Sequence, residues 1–162
     1  MERMEAWKPE LDAIVGARHG GKIDHVLPAL RALDQRHPHI PEIAFQIGYT
    51  LDLAGHAAEA VPHYERAITL GLSPAEHLNT LVALGNALRL AGSPDDAVEL
   101  LARAELQFPD AHELPAYRAL ALRDAGRSAE AVQTLMELAL DVGAEDLGLA
   151  AHQRALRHHA RT

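Results

Sequence analysis

The sequence has no cysteine, six aromatic residues and three serines. Without cysteine there is neither a disulfide framework nor a thiolate zinc site. Basic residues are also scarce: 15 Lys and Arg face 23 Asp and Glu, a formal net charge of −8. That balance argues against a nucleic-acid binder, whose affinity rests on neutralising phosphates. No apolar run approaches the ~18 residues of a membrane span. Residues Met1 to Pro9 carry two acids and no apolar stretch, so no signal peptide is expected there. What is abundant is Ala, at 31 residues, and Leu, at 25. These two strong helix formers predict an all-α protein, soluble and cytoplasmic.

The chain repeats itself. Gly21, Gly55, Gly92 and Gly126 are spaced by 34, 37 and 34 residues. Five residues after the last three glycines stands an alanine: Ala60, Ala97 and Ala131; Val26 holds the place after Gly21. Four residues further on comes a larger apolar side chain: Leu30, Tyr64, Leu101 and Leu135. Seven residues before the last three glycines stand Gly48, Gly85 and Ala119. Two short helices per period, with the glycine in the turn between them, fit this spacing.

The pattern resembles the tetratricopeptide repeat, a 34-residue helix–turn–helix. The units fall at 7–40, 41–74, 78–111 and 112–145. The family's small residues at places 8, 20 and 27 are Gly48, Ala60 and Ala67 in the second unit and Gly85, Ala97 and Ala104 in the third. Pro38 and Pro109 match its proline at place 32. Its aromatic at place 4 is absent, since Glu10, Ala44, Leu81 and Pro115 stand there. The resemblance implies one domain over 1–162: a right-handed α-solenoid of about four units, closed by a capping helix at 146–160. In that cap Leu147, Ala150, Ala151 and Leu156 are expected inward.

Local signals place the helices near 9–19, 24–36, 41–54, 57–70, 74–91, 94–107, 112–125, 128–141 and 146–160. Ser73-Pro74-Ala75-Glu76 is a capping box with proline at the first helical position. It starts the third unit early, which accounts for the 37-residue spacing. Asp110-Ala111-His112-Glu113 is a second candidate box. Ser93 and Ser128 also read as N-caps. In 94–107 the apolar face is expected to comprise Ala97, Leu100, Leu101, Ala104 and Leu106.

Eleven histidines raise the question of a metal. His37 and His39 flank a proline that tends to turn their rings apart. His56 and His63 lie seven apart, His158 and His159 are adjacent, and no His-x3-His pair occurs. Gly20-Gly21-Lys22 lacks the rest of a phosphate loop and sits between helices. Every serine precedes a predicted helix. The expectation is therefore no catalytic residue, no metal and no cofactor.

The resemblance also implies where a partner would lie. Places 2, 5, 6, 9, 12 and 13 of each first helix line the family's concave face. The candidate peptide-binding residues there are Phe45, Tyr49, Asn79, Asn86, Arg89, Tyr117 and Arg123. Asn86 matches the Asn with which many members hold a bound backbone. The lysines and arginine of the carboxylate clamp in chaperone-tail binders are replaced by Leu11, Asn79 and Ala83. The implied function is a non-catalytic protein-interaction module or small adaptor that holds a peptide. The alternative is a self-associating structural protein, a homo-oligomer without a separate ligand. Place 12 carries Arg18, Asp52, Arg89 and Arg123. Arg89 and Arg123 share a phase, which predicts a preference for acidic segments. Pairing of the two with Asp52, Glu113 or Asp124 is the competing outcome.

Overall fold

The computed structural model describes residues 6–19, 23–145 and 148–160. Gly20, Gly21, Lys22 and Leu147, which figured in the repeat, phosphate-loop and capping-helix readings, lie outside the described residues. Among those described there are nine α-helices and no strand. They are α1 Trp7–His19, α2 Ile23–Arg36, α3 Pro41–Leu53, α4 Ala57–Leu70, α5 Pro74–Leu90, α6 Pro94–Gln107, α7 Glu113–Asp124, α8 Ser128–Gly143 and α9 Gln153–Ala160. The chain divides into two compact units, Met1–Ala87 and Leu88–Thr162, with the division inside α5.

The turns explain the glycine period. Gly55, Gly92 and Gly126 have φ of 82°, 91° and 77°, a region that a Cβ disfavours. At the first, Gly55 N–H donates to Asp52 O at 3.0 Å and His56 N–H donates to Leu51 O at 2.9 Å. This Schellman pattern satisfies the carbonyls at the end of α3. It recurs as Gly92 to Arg89 with Ser93 to Leu88, and as Gly126 to Arg123 with Arg127 to Leu122.

The same turn overrides two serine caps. The residue after each glycine ends one helix and opens the next, with ψ held at 53° to 60°. A side-chain cap works from a more extended backbone. Ser93 therefore occupies the cap place with no side-chain bond. At the last turn Arg127 takes that place and Ser128 is already helical. Nor does Asp110 cap α7, whose N-cap is His112, without a side-chain bond. Ser73 does form its box: its Oγ and N–H donate to Glu76 Oε2 at 2.5 and 3.1 Å, and Glu76 N–H donates back to Oγ at 3.4 Å.

A fourth copy of the turn shortens the last helix. Gly148 has φ of 68°, with Gly148 N–H donating to Glu145 O and Leu149 N–H to Ala144 O. A helix cannot run through that conformation, so α9 begins at Gln153 after a single 3-10 turn over Ala150–His152. Ala150 and Ala151, expected inward, are exposed; Leu156 is half-buried. An ion pair between Arg157 and Asp141 joins α9 to α8.

In the first unit α1 packs on α2, α2 on α3 and α3 on α4. Leu30, Leu33, Ile43, Ile47, Leu51 and Tyr64 are buried there, beside Ala44, Ala60 and Ala67. In the second unit α6 packs on α7, α7 on α8 and α8 on α9. Leu88 packs there against Ala97, Val98, Ala119, Ala121, Leu122 and Ala131. Leu106 does not join the core and is 84% exposed. It lies two residues, some 200° of helix, beyond the buried Ala104.

Gly48 marks the tightest approach. A Cβ built there would meet the Tyr64 ring at 3.0 Å and Ala60 O at 3.3 Å. Gly16, inside α1, has no atom within 4 Å of such a Cβ. Gly48→Ala is therefore expected to destabilise the chain by about 1–3 kcal/mol through overpacking. Gly16→Ala should stabilise it by about 0.5–1 kcal/mol through helix propensity. Urea unfolding of the two variants checks the opposite signs.

Candidate functional site: the exposed aromatic face of α3

Successive turns of α3 place Phe45 and Tyr49 four residues apart, so their side chains share a face. Their rings stack with centroids 6.0 Å apart and planes 7° from parallel. Phe45 also touches the buried Tyr64, at 5.7 Å and 49°. Tyr49 is 39% exposed, although an aromatic side chain gains by burial.

Arg18 of α1 holds this face from below. Its Cζ lies 4.6 Å from the centroid of the Tyr49 ring. Its Nη1 donates to Gln46 Oε1 at 2.9 Å and to Thr50 Oγ1 at 3.1 Å. Thr50 in turn donates to Gln46 O at 2.7 Å. Arg18 is only 8% exposed, and burial lowers its pKa. Among the described residues no carboxylate pairs with it. Two neutral acceptors and a π-face therefore carry a buried cation. Sequence reasoning put Arg18 on an open inner surface; the structure buries it under Tyr49.

Asp52, one turn beyond Gly48, accepts a hydrogen bond from Tyr64 Oη at 3.3 Å. Burial raises the Asp52 pKa and the Tyr64 bond opposes that rise. The Tyr64 phenol is pushed up strongly, first by burial and then by the Asp52 charge.

Beside Phe45 opens a hollow of ≈ 160 Å³, lined by Glu42, Phe45 and Gln46 of α3, Leu72, and Glu76, Asn79 and Thr80 of α5. Two of the expected residues, Phe45 and Asn79, meet in it. Asn86 is half-buried on α5 and does not line it. Gln46, Leu72, Glu76 and Thr80 were not foreseen. Gln46 sits at place 6 and could have been found there, whereas Leu72 precedes α5 and no helical register points to it.

In the second unit Arg89 and Arg123 do converge, on a carboxylate of the chain itself. Arg89 Nη1 donates to Asp124 Oδ2 at 2.7 Å. Arg123 Nε donates to Asp124 Oδ1 at 2.9 Å. These bonds hold the Asp124 carboxyl below the ordinary carboxylate range. Tyr117 is half-buried. Among the described residues no group of three or more His, Asp and Glu side chains is placed to hold a metal ion.

This geometry belongs to a known class of repeat. The tetratricopeptide repeat family model matches residues 41–162, three quarters of the chain. The chain belongs to that family, and its fold is an all-α repeat solenoid. No curated protein matches it by sequence. Among solved structures it is similar to a crystal structure of MamA protein, at 20% identity and a TM-score of 0.73, covering 96% of this chain and 86% of that one. A second is a double mutant of MamA from RS-1, at 17% identity and a TM-score of 0.72, covering 94% and 84%. A third is MamA from residue 41 to its end, from Desulfovibrio magneticus RS-1, at 18% identity and a TM-score of 0.69, covering 96% and 89%. At these identities the likeness is one of fold. No helix among the described residues is long and apolar enough to cross a membrane.

The Asp52–Tyr64 pair has a testable pH signature. The Asp52 pKa is raised on folding, so the folded chain holds that proton more tightly than the unfolded one. The associated stability is full below the unfolded pKa and is lost as pH rises through the folded value. Tyr64→Phe removes the bond that opposes the rise and should move the Asp52 pKa further up. Carboxyl-carbon NMR titration of the two proteins checks the direction.

Proposed function

We propose that the chain is a non-catalytic protein-interaction module, a small adaptor that holds a peptide segment on the α3–α5 face of its first unit. One observation carries this reading: Tyr49 is exposed yet fixed, stacked on Phe45 and backed by Arg18. An aromatic ring already held in place loses little freedom on binding, so more of its contact energy appears as affinity. Asn79, on the facing wall of the hollow, supplies a carboxamide able to pair with a peptide backbone. Family membership supports an interaction role, while the peptide and its place rest on this geometry.

The second unit contributes a weaker preference. Two guanidinium groups share one carboxylate at Asp124, and the Arg123 group of the two is exposed. An acidic segment suits that charge, with a contribution of about 0–1 kcal/mol at an exposed site.

A peptide array probed with the full-length chain, followed by anisotropy titrations, tests both statements. Tyr49→Ala is expected to weaken the selected peptides about tenfold at a temperature where circular dichroism shows it folded, with a lower melting temperature from the lost Arg18 and Phe45 contacts. Arg89→Glu with Arg123→Glu should weaken acidic peptides by up to about fivefold at low salt and have little effect at high salt. Tight peptides that ignore Tyr49 would overturn the reading. If the chain is instead a homo-oligomer that fills this face with a terminal segment, light scattering will give a multiple of 17.5 kDa. Tyr49→Ala would then lower that mass.

A further inference from the structure

We infer that the hollow beside Phe45 receives a basic side chain, a lysine or arginine of the bound segment. The inference rests on the peptide-binding reading of this face and specifies what the face selects. The first part is the size of the hollow. Its ≈ 160 Å³ suits a single side chain and not a packed helix. The second part is charge. Glu42 and Glu76 line it from two different helices, and no Lys, Arg or His does. Glu42 has no ion pair among the described residues. Glu76 is held in place by its capping bonds from Ser73. The third part is the wall between them. The Phe45 ring offers apolar surface, and the Asn79 and Gln46 carboxamides offer acceptor oxygens. Gln46 Oε1 already accepts from Arg18, which leaves Asn79 as the less committed of the two.

An alkyl stem that ends in a cation fits this lining part by part. The stem packs on Leu72 and Phe45. The cation meets two carboxylates beside the Phe45 ring, the half-buried Glu42 and the exposed Glu76. An acidic side chain would meet like charge on both walls. A neutral polar one would forfeit the ion pairs. The residues that sequence reasoning selected as cationic, Arg89 and Arg123, lie in the second unit, where they bind Asp124.

The test uses the full-length chain and acetylated, amidated, fluorescein-labelled nonapeptides taken from a random array. For each binder, every Lys or Arg is replaced in turn by norleucine, which keeps the stem, and by Glu. One position is expected to dominate, with norleucine weakening binding about tenfold and Glu abolishing it. Glu42→Gln with Glu76→Gln should then remove the difference between Lys and norleucine at that position. Glutamine preserves the capping box, so helix α5 keeps its start. Thermal unfolding of the double variant checks that it does. Peptides that need Tyr49 but bind equally well with Lys, norleucine or Glu throughout would overturn this inference and leave the peptide-binding reading standing. Absence of any Tyr49-dependent peptide would overturn both.

Discussion

The arrangement of the first unit depends on a missing methyl group. Tyr64 lies where a side chain at residue 48 would project, at 3.0 Å from that point. Only glycine leaves the ring there without displacing it. From that position the Tyr64 ring supports Phe45 and its hydroxyl reaches Asp52. Phe45 then stacks with Tyr49, which Arg18 backs from α1. A core contact at place 8 of the repeat thus sets the angle of the exposed ring at place 9. Packing and recognition share one close approach.

Electrostatics divides the candidate residues more sharply than their positions in the repeat do. Arg18, Arg89 and Arg123 occupy equivalent places, yet each meets a different environment. Arg18 is buried against neutral acceptors and a tyrosine face. Arg89 is mostly buried and Arg123 exposed, and both clasp Asp124. A buried guanidinium without a carboxylate bears a desolvation cost that the Tyr49 face offsets in part. The Asp124 pair is instead internally compensated. Charges that look like one row along the sequence therefore do two different things.

The local turns show how far sequence signals reach. Glycine recurring every 34 to 37 residues predicted the turns at Gly55, Gly92 and Gly126, because a Cβ disfavours the positive φ they require. Ser93 takes the N-cap place expected of it without a side-chain bond, because the Schellman geometry holds its backbone away from the capping region, and Ser128 lies one residue past the cap, already helical. Ser73 follows no such glycine directly and forms its box as expected. Gly148 breaks the period, and so the shortened α9 was not anticipated. Leu106 was assigned to a buried stripe by its apolar character alone, although helical phase sets it outside.

By itself the sequence determined the repeat length, the hairpin turns at Gly55, Gly92 and Gly126, eight of the nine helices among the described residues and the small residues that let them approach. These follow from local rules: backbone freedom at glycine, propensity of Ala and Leu, and apolar spacing. Helical register also placed Phe45 and Tyr49 on one face of α3, whereas Asn79, on α5, joined them only through what the family resemblance implies. Only the tertiary structure decided which charges meet. Asp124 between Arg89 and Arg123, Arg18 beneath Tyr49, and Glu42 opposite Glu76 each join residues from different helices or turns. Long side chains have several rotamers, and their partners depend on distances that no periodicity encodes.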